Sequence, residues 1–347
     1  MLFGPTVRRL TTLDGLRGSA ALAVMFFHAD AIAPLRMPGG YLAVDLFFVL
    51  SGFVIAAAYL DDFAQLGASG FLKRRFARLY PTYFAGIVVA IGGAGIIALS
   101  RGEALGFGPI VAALLILPWP AAGYLFPIYP PAWSLFFEWV ANLGMAFTAR
   151  WFGPVLAGAI LIVSGGVVLA TAFHDRQISQ GVYWNGFGGG LARAVFSFTL
   201  GIVLQRFHAA RPVDPATTRW ALALPVGLFA LLALDPADRL WLDLVCVFAI
   251  FPAMILIGAR LETPNPWAMK LVGDASYPLY CLHGTVMVLA LAAARREPAL
   301  ATALGIAACI VTFVAALVFA RLAEPRLRKV ATRMLRGSLK SDHNAAK

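Results

Sequence analysis

The chain has 347 residues, of which 61% are hydrophobic and only 13% charged, with a mean hydropathy of +0.80. Soluble domains carry roughly a quarter charged residues, so this composition excludes an ordinary globular enzyme and indicates a polytopic membrane protein. The net charge of +11 does not argue for nucleic acid, because excess Lys and Arg in such a chain mark the cytoplasmic loops.

Apolar runs near 20 residues, the length a helix needs to cross about 30 Å of hydrocarbon, occur at 13–33, 41–60, 80–99, 132–150, 153–173, 189–207, 219–235, 240–258, 276–294 and 299–321. They predict an all-α bundle of about ten transmembrane helices. The run 109–119 is short, with Pro118 near its end and Pro120, Pro127, Pro130 and Pro131 close behind, which reads as a re-entrant or interfacial helix. Residues 1–336 form one domain on this reading, and the polar stretch 337–347 is expected to be a disordered cytoplasmic tail. Arg8 and Arg9 precede a first run too long for a signal-peptide core, so that run is expected to stay as an anchor.

The first span, DGLRGSAALAVMFFH, carries Asp14, Arg17 and His28. Eleven residues at about 100° each place Arg17 and His28 on one helical face, roughly 16 Å apart along the axis. Ionisable groups at such depth mark a functional site by default; the alternative is an interfacial Asp14–Arg17 ion pair with His28 capping the far end. The second span follows Gly39 and Gly40 and holds Asp45, which can pair with Arg36 or face His28; Ser51 and Gly52 read as close-packing positions.

FLKRRFARLYPTY at 71–83 concentrates cations before the third span, with Pro81 near the expected helix start. The cluster sets topology, and Arg74, Arg75 and Arg78 are candidates to hold a donor's phosphates as well. Loop 100–131, rich in Pro, Gly and aromatic residues, is either an ordered cap or a loose connector. In PAWSLFFEWVANL, Ser134, Glu138 and Asn142 recur every fourth residue and form one polar stripe beside Trp133, with His28 a candidate partner for Glu138.

The ninth span opens GDASYPLYCLHG, where Ser276 and His283 are two turns apart and Tyr277 lies alongside. RLAEPRLRK ends the tenth, with Glu324 and Pro325 stopping the helix among cations. Cys246, Cys281 and Cys309 lie inside apolar runs at no metal-ligand spacing, and no metal is expected. Lys and Arg gather in the segments that ten crossings place inside: 61–79 holds Lys73, Arg74, Arg75 and Arg78, and 322–347 holds Arg326, Arg328, Lys329, Arg333, Arg336 and Lys340, so both termini are expected in the cytoplasm.

Arg17 and His28 with ten residues between, GYLAVDLFFVLSGFVI, RRFARLYPTY, PAWSLFFEW, SYPLYCLH and the late AEP together resemble acyltransferase family 3, in the family's order and over residues 12–326. The resemblance implies an integral inner-membrane O-acyltransferase, surrounded by lipid and without nucleic acid, that moves an acyl group, most often acetyl from cytoplasmic acetyl-CoA, to a sugar hydroxyl of a surface polysaccharide or its lipid-linked precursor. It implies His28 and Arg17 as the essential pair. Glu138 or Asp45 would then orient His28 in catalysis. Arg74, Arg75, Arg78, Ser276 and Tyr277 would serve the donor, and Trp133, Ser134, Asn142 and His283 the carbohydrate acceptor. Some relatives carry a further extracytoplasmic domain, and a stand-alone form is expected here. A small-molecule or lipid acceptor is the alternative within the class, and a proton-coupled carrier the alternative outside it.

Overall fold

The computed structural model describes residues 9–60, 63–211 and 216–345, with only the backbone from 336 to 345. Thirteen α-helical segments make up the described chain: α1 Thr11–Ala29, α2 Ala43–Tyr59, α3 Phe63–Ser100, α4 Phe107–Leu114, α5 Ala132–Thr148, α6 Pro154–Asp175, α7 Phe187–Ala209, α8 Ala223–Ala233, α9 Arg239–Val245, α10 Phe251–Gly258, α11 Trp267–Arg296, α12 Ala301–Val318 and α13 Glu324–Ala345. Among the described residues the one sheet is a parallel pairing of Ala216–Thr217 with Leu261–Glu262. The protein is an all-α polytopic membrane bundle.

Each of the ten apolar runs contains helix. Among the described residues, seven helical stretches are long and apolar enough to cross a membrane: Gly40–Tyr59, Phe63–Ser100, Pro154–Asp175, Trp184–Ala209, Arg239–Gly258, Trp267–Arg296 and Pro298–Leu335. The other three fall short for separate reasons. Asp14, Arg17 and His28 dilute α1, α5 has 17 residues, and α8 has 11.

Helix ends depart from the expected limits where polar sequence continues an apolar helix. α3 starts at Phe63, so Pro81 lies inside it, and Gly67, at φ 66°, supplies a kink that a residue with a side chain would resist. Glu324 and Pro325 do not stop the last helix. The turn Phe319–Ala323 is π-helical and leads into α13. A second π turn, Cys246–Ile250, likewise precedes Pro252 by two residues. A proline lacks the N–H and clashes with the carbonyl four residues back, and a widened turn relieves both. The expected tail from 337 begins inside α13, whose backbone is helical through Ala345; 346 and 347 lie outside the described residues.

Loop 115–131 is an ordered cap. Leu125, Phe126 and Tyr129 are buried, Leu125 N–H donates to Val182 O at 3.0 Å, and Trp184 Nε1 donates to Trp119 O at 2.9 Å. Within the bundle α1 packs on α11, α8 and α2, while α2 also packs on α7 and α3 on α11 and α13. A Cβ on Gly18 would stand 2.4 Å from Val272 Cγ2, and one on Gly273 2.6 Å from Asp14 Cβ. Hydrogen at these two positions lets α1 and α11 meet along their backbones.

Candidate active site

The close seam between α1 and α11 carries the two polar centres. At the N-terminal end of α1, Arg17 Nε donates to Ser276 Oγ at 2.9 Å, and Nη2 donates to Asp14 Oδ1 at 2.9 Å and to Gly273 O at 2.8 Å. Ser276 in turn donates to Gly273 O at 2.7 Å. Arg9 bridges Asp14 and Asp274, reaching the latter at 2.7 Å. Charge-assisted bonds of this kind fix the plane of the guanidinium. The Arg17 side chain nevertheless stays 28% exposed, so part of it remains available to a ligand. The Asp14–Arg17 pair weighed in the sequence reading exists, and it is built into a network rather than standing at a frayed end.

Eleven residues further along α1, His28 Nδ1 lies 2.9 Å from Val24 O. A carbonyl accepts and never donates, so Nδ1 carries the hydrogen and the neutral ring keeps its lone pair at Nε2. The ring packs edge-on against Phe27 at 5.2 Å and His283 at 4.9 Å between centroids. His283 stands 5.4 Å from the Tyr280 ring. The Tyr280 hydroxyl shares a 2.6 Å bond with Ser134 Oγ, and Tyr280 O accepts from the Tyr129 hydroxyl at 2.6 Å. His28, His283 and Ser134 thus belong to one cluster, with Tyr280 as the link. Tyr280 was no candidate in the sequence reading.

Neither expected carboxylate meets His28. Glu138 Oε1 accepts from Arg75 Nη2 at 2.8 Å and from Ser51 Oγ at 2.6 Å, tying α5, α3 and α2 together. Asp45 is paired with Arg193 on α7, Nε to Oδ1 at 3.1 Å and Nη2 to Oδ2 at 2.5 Å, while Arg193 Nη1 donates to Gln180 O at 2.8 Å. Arg36 does not take Asp45; its backbone N–H donates to Asp30 Oδ1 at 2.9 Å. The reason is burial: Arg75 and Arg193 are inside the protein, and a buried guanidinium demands a carboxylate. Ser51, read as a packing position, is a hydrogen-bond donor as well.

The remaining candidates separate by exposure. Arg74 is half-buried and Arg78 exposed, and the charge of Arg78 bears on Arg17, Arg75 and Arg328. The Tyr277 hydroxyl donates to Leu79 O on α3 at 2.9 Å. Asn142 Nδ2 turns back to Glu138 O at 2.7 Å, and Trp133 is buried with its ring 5.6 Å from the Arg193 guanidinium. Arg239 ion-pairs at 3.2 Å with buried Asp243, which also takes the Tyr41 hydroxyl. Arg193, Tyr41 and Asp243 were missed; the available signal was a lone charge in an apolar span, which calls for an opposite partner. Among the described residues no group of three His, Cys, Asp or Glu is placed to hold a metal ion.

The model of an acyltransferase domain, that of family 3, matches residues 10–321. "Protein 2 in picA locus" of Rhizobium radiobacter is 41% identical over 165 residues, covering 41% of this chain and 82% of that protein. "Exopolysaccharide production protein ExoZ" of Rhizobium meliloti is 27% identical over 274 residues, covering 75% and 80%. "O-acetyltransferase OatA" of Staphylococcus aureus is 34% identical over 87 residues, covering 24% of this chain and 14% of its own. No solved structure matches the chain.

Proposed function

The chain belongs to acyltransferase family 3, and from that premise we propose that it moves an acetyl group from cytoplasmic acetyl-CoA to a hydroxyl of an exported or cell-surface polysaccharide or its lipid-linked precursor. The family match favours a transferase over the carrier alternative. A carbohydrate acceptor is supported by the name of the relative ExoZ, which refers to exopolysaccharide production, and acetyl transfer to oxygen by that of OatA, an O-acetyltransferase.

The observation that carries the proposal is the pair of centres on α1. Arg17 is anchored yet part-exposed at one end, and His28 at the other is held as an Nδ1–H tautomer with a basic Nε2. On this reading Arg17, with Arg78 and Arg74, meets the donor's phosphates from the cytoplasm. His28 Nε2 takes the hydroxyl proton of the acceptor as its oxygen attacks the thioester carbonyl. The C–O bond forms, the C–S bond breaks, and the proton passes to the leaving thiolate. Ser276 donates to Gly273 O and Ser134 is engaged by Tyr280, so neither hydroxyl is paired with His28 as an acyl-enzyme nucleophile needs, which supports direct transfer over an acyl-enzyme. Arg75 and Glu138, spent on each other, hold three helices in register, and Asp45 does the same through Arg193.

The enzyme sits in the inner membrane on this reading, crossing it ten times with both termini in the cytoplasm. Ester-linked acetate on envelope polysaccharide is the test. Cells lacking the protein should lose a fraction that the wild-type gene restores. Unchanged acetate in every strain would contradict the proposal and turn attention to a small-molecule acceptor.

A further inference from the structure

The two histidines that meet at the C-terminal end of α1 are held in the same way. His283 Nδ1 lies 2.8 Å from Tyr280 O and 3.3 Å from Leu279 O, as His28 Nδ1 lies on Val24 O. Both rings therefore carry their hydrogen at Nδ1 and keep the Nε2 lone pair. The carbonyl that holds His283 is itself fixed by the Tyr129 hydroxyl, so the tautomer is locked from outside α11. His283 is buried, and its Nε2 has no hydrogen-bond partner among the described residues.

A buried acceptor without a donor costs free energy and is rare in a folded protein. Structural packing gives no reason to keep one. A ring edge-on to a second imidazole, 4.9 Å between centroids, has a chemical reason: a proton taken up by one histidine finds a second basic nitrogen in the same cluster. Resting on the transfer reading above, we propose that His283 is the proton partner of His28. The hydroxyl proton that His28 Nε2 removes is shared with His283 Nε2 while the acceptor oxygen attacks the thioester carbon. The pair then returns it to the thiolate released from the C–S bond. No proton is gained or lost over the cycle, and no co-reactant beyond donor and acceptor is needed.

The test uses membrane vesicles holding the full chain, acetyl-CoA labelled in the acetyl group, and polysaccharide extracted from cells that lack the protein. His283→Gln keeps a hydrogen-bonding amide but cannot take a proton. It is expected to cut kcat about 100-fold while leaving the KM for acetyl-CoA unchanged. In His283→Ala, added imidazole should restore part of the lost turnover and should do nothing for wild type. A Gln variant turning over like wild type, a loss confined to KM, or an Ala variant that imidazole leaves inactive would each overturn the inference. If the Ala variant fails to accumulate, the Gln comparison per unit of inserted protein decides alone. Wild-type vesicles that transfer no label would instead overturn the transfer reading, and this inference with it.

Discussion

Asp45 and Arg193 are both buried, and each is the other's main compensation: two parallel bonds join them, and a third ties Arg193 to the Gln180 carbonyl. Removing one partner leaves an isolated charge in the interior, at a cost of about 3–5 kcal/mol. Arg193→Ala should therefore lower the amount of monodisperse protein recovered from membranes and its melting temperature in detergent. Adding Asp45→Asn to the same chain should recover part of the loss, because the stranded charge is gone. Single and double variants that melt like wild type would contradict this. Helical periodicity correctly grouped Ser134, Glu138 and Asn142 on one face but could not say which neighbour that face meets. Asp45 was visible as an unpaired charge, and the same logic applied to Arg193 in the span 189–207 would have suggested the pair. The choice of Arg75 over His28 for Glu138 depends on burial, which a linear chain does not display.

Helix contacts set those neighbours. A Cβ on Gly52 would lie 2.0 Å from Phe198 O, and one on Gly201 2.0 Å from Val49 O, so α2 and α7 touch through reciprocal glycines. Neither carbonyl is a flexible tip that can swing away. Gly201→Ala should therefore force the two helices apart, strain the Asp45–Arg193 pair between them, and reduce thermal stability in detergent. Gly166→Ala, where the added methyl meets nothing within 4 Å, should leave the melting temperature unchanged. Equal melting of the two variants would disprove the packing argument. At this scale the sequence was largely readable, because every apolar run holds helix. The limits were not, since hydropathy marks the lipid-facing part of a helix and α3 and α11 extend beyond it as polar helix. The π turn before Pro325 shows that a proline after a charged residue can be absorbed by a wide turn as well as ending a helix.

For the molecule as a whole, the proposed function makes one seam join recognition to chemistry. α1 holds an anchored cation near one end and a histidine near the other, and α11 supplies the partners of both through Ser276, Gly273 and His283. The same polar residues that make α1 the candidate site make it one of the three helical runs too polar or too short to register as a membrane span by composition. That is why the order of motifs was a better guide to the family than a count of hydrophobic segments. The central claim is that this seam performs acyl transfer. The most direct test is transfer of labelled acetyl from acetyl-CoA to polysaccharide in vesicles holding matched amounts of wild type, His28→Ala and Arg17→Ala. The account predicts transfer by wild type and a loss of at least about 100-fold in the His28 variant, with the Arg17 variant inactive at low donor concentration. Transfer at the wild-type rate by His28→Ala would contradict it.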